Sequence, residues 1–121
     1  MVDRGFSKNV RLLNAADYNA VFAKARFNAS CRYFLVLAIN NNSDSPRLGL
    51  VVAKKYVSNA VQRNRIKRLI RESFRNNSEL LTSLDLIVLA RKDADKLDNS
   101  LLTQKVNALL QDLNTKLKQV H

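Results

Sequence analysis

Apolar positions along this chain fall into blocks of two different periods. From Asn14 to Lys24 the spacing is helical, with Tyr18, Val21 and Phe22 on one side, and Asn14 followed three residues later by Asp17 is a capping pattern for the helix start. Between Arg32 and Asn40 lies a β-rich run, followed by the polar turn NNSDSPR and a second run, RLGLVVAKK, that ends at Lys55. These two runs read as an antiparallel pair, and a shorter strand around Arg26–Ala29 carries a weaker signal. Asn59–Asn77 is helical again, with Asn59 and Gln62 spaced as a capping box, and Asp85–Arg91 (DLIVLAR) reads as a buried strand. Strand, helix and strand make a βαβ unit. A last helix from Asn99 to Val120 aligns Leu102, Val106, Leu109, Leu110, Leu113 and Leu117 on a face that should pack against the sheet. The sum is an α+β fold, a mixed sheet of about four strands packed with three helices. No repeat or linker interrupts the chain, and 121 residues suit one compact core, so residues 1–121 are expected to form a single domain.

Lysine and arginine number 21 against 10 acids, a net charge of +11, which calls for a polyanionic partner such as nucleic acid or an acidic membrane surface. The first residues lack an apolar signal core, and the apolar runs near Tyr33–Ile39 and Leu48–Ala53 are too short to span a bilayer, so a cytoplasmic protein is expected. Cys31 and His121 are the only cysteine and histidine, which excludes an internal disulfide and any Cys/His metal site. Cys31 is expected to be a plain buried thiol.

The charge is concentrated. Residues 54 to 75, KKYVSNAVQRNRIKRLIRESFR, hold eight of the 21 basic residues against the single acid Glu72. At about 100° per residue, Ile66, Leu69, Ile70 and Ser73 fall on one side, and Arg63, Asn64, Lys67, Arg68, Arg71 and Arg75 on the other. The ordinary reading of a charge run is a solvated helix face. Such faces usually interleave acids with bases, whereas like charges on one face repel and cost stability unless an anion offsets them. Arginine outnumbers lysine here, which favours bidentate phosphate contact over diffuse attraction to a membrane. The narrow apolar side is needed to cover the sheet, which argues against a membrane helix, and flanking strands argue against a helix-turn-helix. RNA is the favoured partner.

Tyr18 and Phe22 on the first helix, with Tyr33 and Phe34 at the start of the central strand, form a second constellation. Core packing is the ordinary role of such rings, and outward-facing rings beside a basic helix would instead stack unpaired bases.

The string AVQRNRIKRLIRESFR, preceded by LGLVVAKK and followed by DLIVLARK, closely resembles the signature region of the bacterial ribonuclease P protein component. GFSKNVRLLNAADYNAVF resembles the same family's N-terminal segment and first helix. The resemblance implies a left-handed crossover between the two parallel strands, against the general preference. It also implies a protein subunit that binds a catalytic RNA and the 5′ leader of precursor tRNA and assists endonucleolytic removal of that leader. The active site and its Mg²⁺ ions would lie in the RNA, with no catalytic or metal-binding residue in the protein and no protein partner required. By position, Lys54, Lys55, Arg63, Asn64, Arg65, Lys67, Arg68 and Arg71 match the family's RNA-binding residues, and Tyr18 and Phe22 match its leader cleft, to which Tyr33 and Phe34 are the further candidates. Leu37 stands where some members carry an aromatic in that cleft. The residues agree with this division of labour, because the ten acids are scattered without the clustering that acid–base or metal-assisted hydrolysis requires. A structural RNA-binding protein of ribosomal type is the alternative, and an RNA-free nuclease is disfavoured by the missing catalytic cluster.

Overall fold

A computed structural model describes residues 11–42, 45–81 and 83–120. The N-terminal segment, the middle of the NNSDSPR turn and the C-terminal histidine lie outside the described residues. The strands are β1 (Arg11–Leu12), β2 (Phe27–Ser30), β3 (Phe34–Asn40), β4 (Arg47–Val51) and β5 (Leu84–Ala90). The helices are α1 (Ala15–Lys24), α2 (Ala60–Asn76) and α3 (Asn99–Val120), with short 3₁₀ turns at Ser78–Leu81 and Ala94–Lys96.

The mixed α+β architecture agrees with the sequence, with one change of pairing. The sheet order is β1-β4-β5-β3-β2. The two runs read as an antiparallel pair, now β3 and β4, are not neighbours. β5 lies between them, antiparallel to β3 and parallel to β4. The partner of β3 on its other side is β2, the weakly signalled strand. The βαβ unit is present as β4, α2 and β5. The two-residue β1, parallel to β4, is an addition that the sequence did not announce.

Alternation explains the two layers. Phe34, Val36 and Ala38 of β3, Leu48 of β4, and Leu84, Leu86 and Val88 of β5 point to one face, where Ile66, Leu69, Ile70 and Phe74 of α2 and Leu102, Val106, Leu110 and Leu113 of α3 complete the main core. The helical faces predicted for α2 and α3 are the ones buried. Cys31, expected inside, is only half-buried at the margin of this core.

The other face is crossed by three register-aligned rows: Arg47–Asp85–Ile39, Gly49–Ile87–Leu37 and Val51–Leu89–Leu35. α1 covers part of it through a smaller cluster of Leu13, Val21 and Ile87, against which Tyr18, Leu37, Ile39, Val51 and Leu89 pack. α1 has the full capping box expected of Asn14 and Asp17. At α2, Asn59 accepts from the Val61 and Gln62 amides, but the Gln62 side chain accepts from Arg65 instead of completing a box.

Candidate nucleic-acid interface

Burial of Ile66, Leu69, Ile70, Ser73 and Phe74 fixes the rotation of α2, and the same rotation turns Asn64 and Arg68 fully outward, with Lys67, Arg71 and Arg75 at the margins. Among the described residues, no side-chain hydrogen bond or ion pair engages Lys67, Arg71 or Arg75. The contact from Arg68 to Glu72 is long, at 4.0 Å between exposed groups, a geometry that contributes little. Arg63 donates to the carbonyls of Val57 (3.1 Å) and Ser58 (2.8 Å), bracing the loop that leads into its own helix. A cationic surface left without counter-ions holds its charge ready for an external anion.

Arg65, also in the expected RNA-binding set, differs from the others in its internal partners. Nε donates to Gln62 Oε1 (2.8 Å), Nη1 to Asn99 Oδ1 (2.6 Å), and Nη2 to the carbonyls of Asp95 (3.1 Å) and Leu97 (3.0 Å). Four of the five guanidinium N–H groups are thus committed inside the protein, tying α2 to the start of α3. Its position on the helix wheel, away from the cationic side, was the sequence signal for this role.

Lys54 and Lys55 lie exposed in the turn after β4, with Lys55 Nζ 4.9 Å from the centre of the Tyr56 ring. Tyr56 in turn lines a shallow depression with Arg32, Arg91, Lys92 and Asp93. Arg32, Arg91 and Lys92 were not singled out from the sequence, because they are scattered along it. Each sits at a strand end, and the sheet brings those ends together.

The four aromatic candidates separate. Phe34 is fully buried in the main core, on the face opposite α1, because it shares the alternation of Val36 and Ala38. It is therefore a core residue and not a cleft residue. Tyr33 packs half-buried against the same core, under Arg32. Tyr18 and Phe22 remain together on α1. Phe22 is 48% exposed. Tyr18 is anchored: β1 ends at Leu12, which leaves the outer side of β4 unpaired at Leu50, and the Tyr18 hydroxyl accepts from the Leu50 amide (2.8 Å) and donates to its carbonyl (3.2 Å). Its ring lies on Gly49, where a Cβ would stand 2.7 Å from Tyr18 Cε1.

Beside α1, the half-buried row of Val51, Leu89 and Leu35 remains partly uncovered. This face of the molecule thus offers an aliphatic row beside α1, the exposed ring of Phe22 on α1, and cations at the strand ends. Aliphatic and aromatic surface is chemically suited to unpaired bases, and lysines and arginines to phosphates. No group of three His, Cys, Asp or Glu side chains placed to hold a metal occurs among the described residues, and no described helix is long and apolar enough to cross a membrane.

Fold and charge together define a small α+β protein built around a polyanion-binding surface. A profile of the Ribonuclease P family matches residues 6–114. The chain is 49% identical over 109 residues to the ribonuclease P protein component of Chromohalobacter salexigens, covering 90% of this chain and 85% of the relative. The same protein from Pseudomonas aeruginosa is also 49% identical over 109 residues, covering 90% and 81%. Among solved structures, a Staphylococcus aureus RNase P protein mutant with defective mRNA degradation activity superposes with a TM-score of 0.78 at 34% identity, covering 88% of this chain and 89% of that one. The RNase P protein of Thermotoga maritima superposes with a TM-score of 0.71 at 32% identity, covering 84% and 96%. The chain belongs to the ribonuclease P protein component family, the protein subunits of the endoribonuclease ribonuclease P, which acts in tRNA processing.

Proposed function

We propose that this chain binds the catalytic RNA of ribonuclease P through the outward face of α2 and lays the 5′ leader of precursor tRNA beside α1 on the sheet. Asn64, Lys67, Arg68, Arg71 and Arg75 carry the contact with the RNA subunit, and Lys54 and Lys55 meet the leader's phosphates where it passes the strand ends. Phe22, the ring of Tyr18 and the aliphatic row take its bases by stacking and apolar contact, so recognition is tolerant of sequence. The Mg²⁺ ions and bond cleavage belong to the RNA, and the protein works in the cytoplasm.

The observation that carries this reading is the cluster of Lys67, Arg71 and Arg75, which no acid or acceptor among the described residues neutralises. The test is cleavage of a precursor tRNA by a bacterial ribonuclease P RNA at low Mg²⁺, with and without the protein. Stimulation that grows with leader length is the expected result. Folded protein that binds RNA without stimulating cleavage would overturn the proposal and leave a structural RNA-binding protein in its place.

A further inference from the structure

α1 is held to the sheet through residues 17 to 21. Of its ten residues only Val21 is fully buried, and residues 22 to 25 are all exposed. Besides the Tyr18 hydroxyl, the polar tie to the sheet is Asp17, whose Oδ2 and Oδ1 accept from Nη1 (3.1 Å) and Nη2 (3.3 Å) of Arg47.

Arg47 is itself immobilised. Its Nε and Nη2 donate to Oδ1 (2.8 Å) and Oδ2 (2.6 Å) of Asp85, which is 4% exposed. Asn41 Nδ2 donates to the same carboxylate at 2.9 Å and to the Ser45 carbonyl at 3.0 Å. One guanidinium thus bridges a buried carboxylate on the central strand β5 and the capping carboxylate of α1. Two carboxylates against one guanidinium leave this spot with net negative charge, and most of the arginine's N–H groups are spent on them. Unlike Arg71 and Arg75 of α2, Arg47 keeps at most one of its five guanidinium N–H groups for a phosphate.

We propose that Arg47 is a positioning residue for leader recognition: by clamping Asp17 to Asp85 it sets the pose of α1 over the sheet, and so the place of Phe22 beside the Val51–Leu89–Leu35 row, without touching RNA. This rests on the leader-binding reading given above. Asp17 is the place to test it, because removing Arg47 would strand the buried Asp85 carboxylate. In Asp17→Asn the amide oxygen still accepts from the Asn14 amide and keeps the cap, while the charge and one of the two bonds to Arg47 are lost.

The experiment reconstitutes the full-length protein with a bacterial ribonuclease P RNA and compares precursors carrying a long leader and a single-nucleotide leader. For Asp17→Asn, KM for the long leader should rise roughly fivefold, the scale of one ordinary intramolecular hydrogen bond. The kcat value, the short-leader substrate and the affinity for the RNA subunit should stay as in the wild type, and Asp17→Glu should retain the leader preference. Amide hydrogen exchange of the free variant should accelerate over residues 18–24 and stay unchanged in β5 and α3. An Asp17→Asn protein with the wild-type leader preference, or with unchanged exchange in α1, overturns the proposal alone. A wild-type protein with no leader preference overturns the leader-binding reading and this proposal with it.

Discussion

Tyr18 shows how one side chain can join packing to function. Its hydroxyl completes the ladder of β4 where β1 runs out, and its ring needs the bare backbone of Gly49 beneath it. Gly49→Ala would force a methyl group to 2.7–2.8 Å from a ring held by two hydrogen bonds, and to 3.1 Å from Ile87 Cγ1. The expected loss is about 1–3 kcal/mol in urea unfolding. In the background of Tyr18→Ala the same substitution should cost clearly less, and simple additivity of the two would refute the contact as the cause. Ser73 makes the opposite case. Its Oγ is buried in α2 with no hydrogen-bond partner, so Ser73→Ala should leave stability unchanged or raise it by up to about 1 kcal/mol, whereas a satisfied hydroxyl would show a loss. Helical spacing alone placed Ser73 inward. The same kind of pattern made Phe34 legible as core, since it alternates with Val36 and Ala38, but its ring, next to Tyr33, also made it a candidate for stacking. The partner of Tyr18 lies 32 residues away, and no local pattern announces it.

At the scale of the element, α2 was readable almost throughout. Asn59 caps it, its apolar stripe is the buried one, and its cationic side faces outward. The helix wheel set Arg65 off the cationic side, but the division of labour among the arginines was not readable in full, because three of the four acceptors of Arg65 come from residues 95 to 99, more than 29 positions along the chain. That division can be measured. Arg68→Ala and Arg71→Ala should each weaken binding to the RNA subunit and reduce the log–log salt slope by about 0.7–0.9, the mark of one lost phosphate contact, with little effect on stability. Arg65→Ala should instead lower stability by about 1–3 kcal/mol through loss of its internal hydrogen bonds, and leave the salt slope of the folded protein near the wild-type value. If Arg65→Ala changed the slope as Arg71→Ala does, Arg65 would belong to the RNA-binding set.

For the whole molecule, helices and strands were legible, but strand neighbours were not. Parallel pairing of β4 with β5 requires the chain to pass through α2 first, so a pattern that looks like a hairpin between β3 and β4 carries no trace of the strand that separates them. Charge is the other global property, and it has a consequence for stability. A chain of net charge +11 whose basic helix face lacks counter-ions carries self-repulsion in the free state, which RNA relieves on binding. The free protein's melting temperature should therefore rise as salt is raised from about 0.01 M to about 0.2 M, where the screening length falls from about 30 Å to below 10 Å. The internal clamp at Arg47 does not give way to base, and its partly buried ion pairs are screened less by salt than exposed charges are. Its guanidinium is held above its usual range, chiefly by its hydrogen bond to Asp85 and then by the charges of Asp85 and Asp17, with partial burial opposing. A raised pKa on a base contributes stability that is lost only as pH climbs through the folded value, here beyond any working pH. Repulsion on α2 is thus the more salt-sensitive part. Arg71→Gln, which removes one of its charges, should melt higher than the wild type at low salt, by an amount that shrinks as salt rises, while binding RNA more weakly. Thermal melts of both proteins across a salt series check this. A variant that melts lower at every salt concentration would mean that Arg71 is bound into the fold and is not held in reserve for RNA.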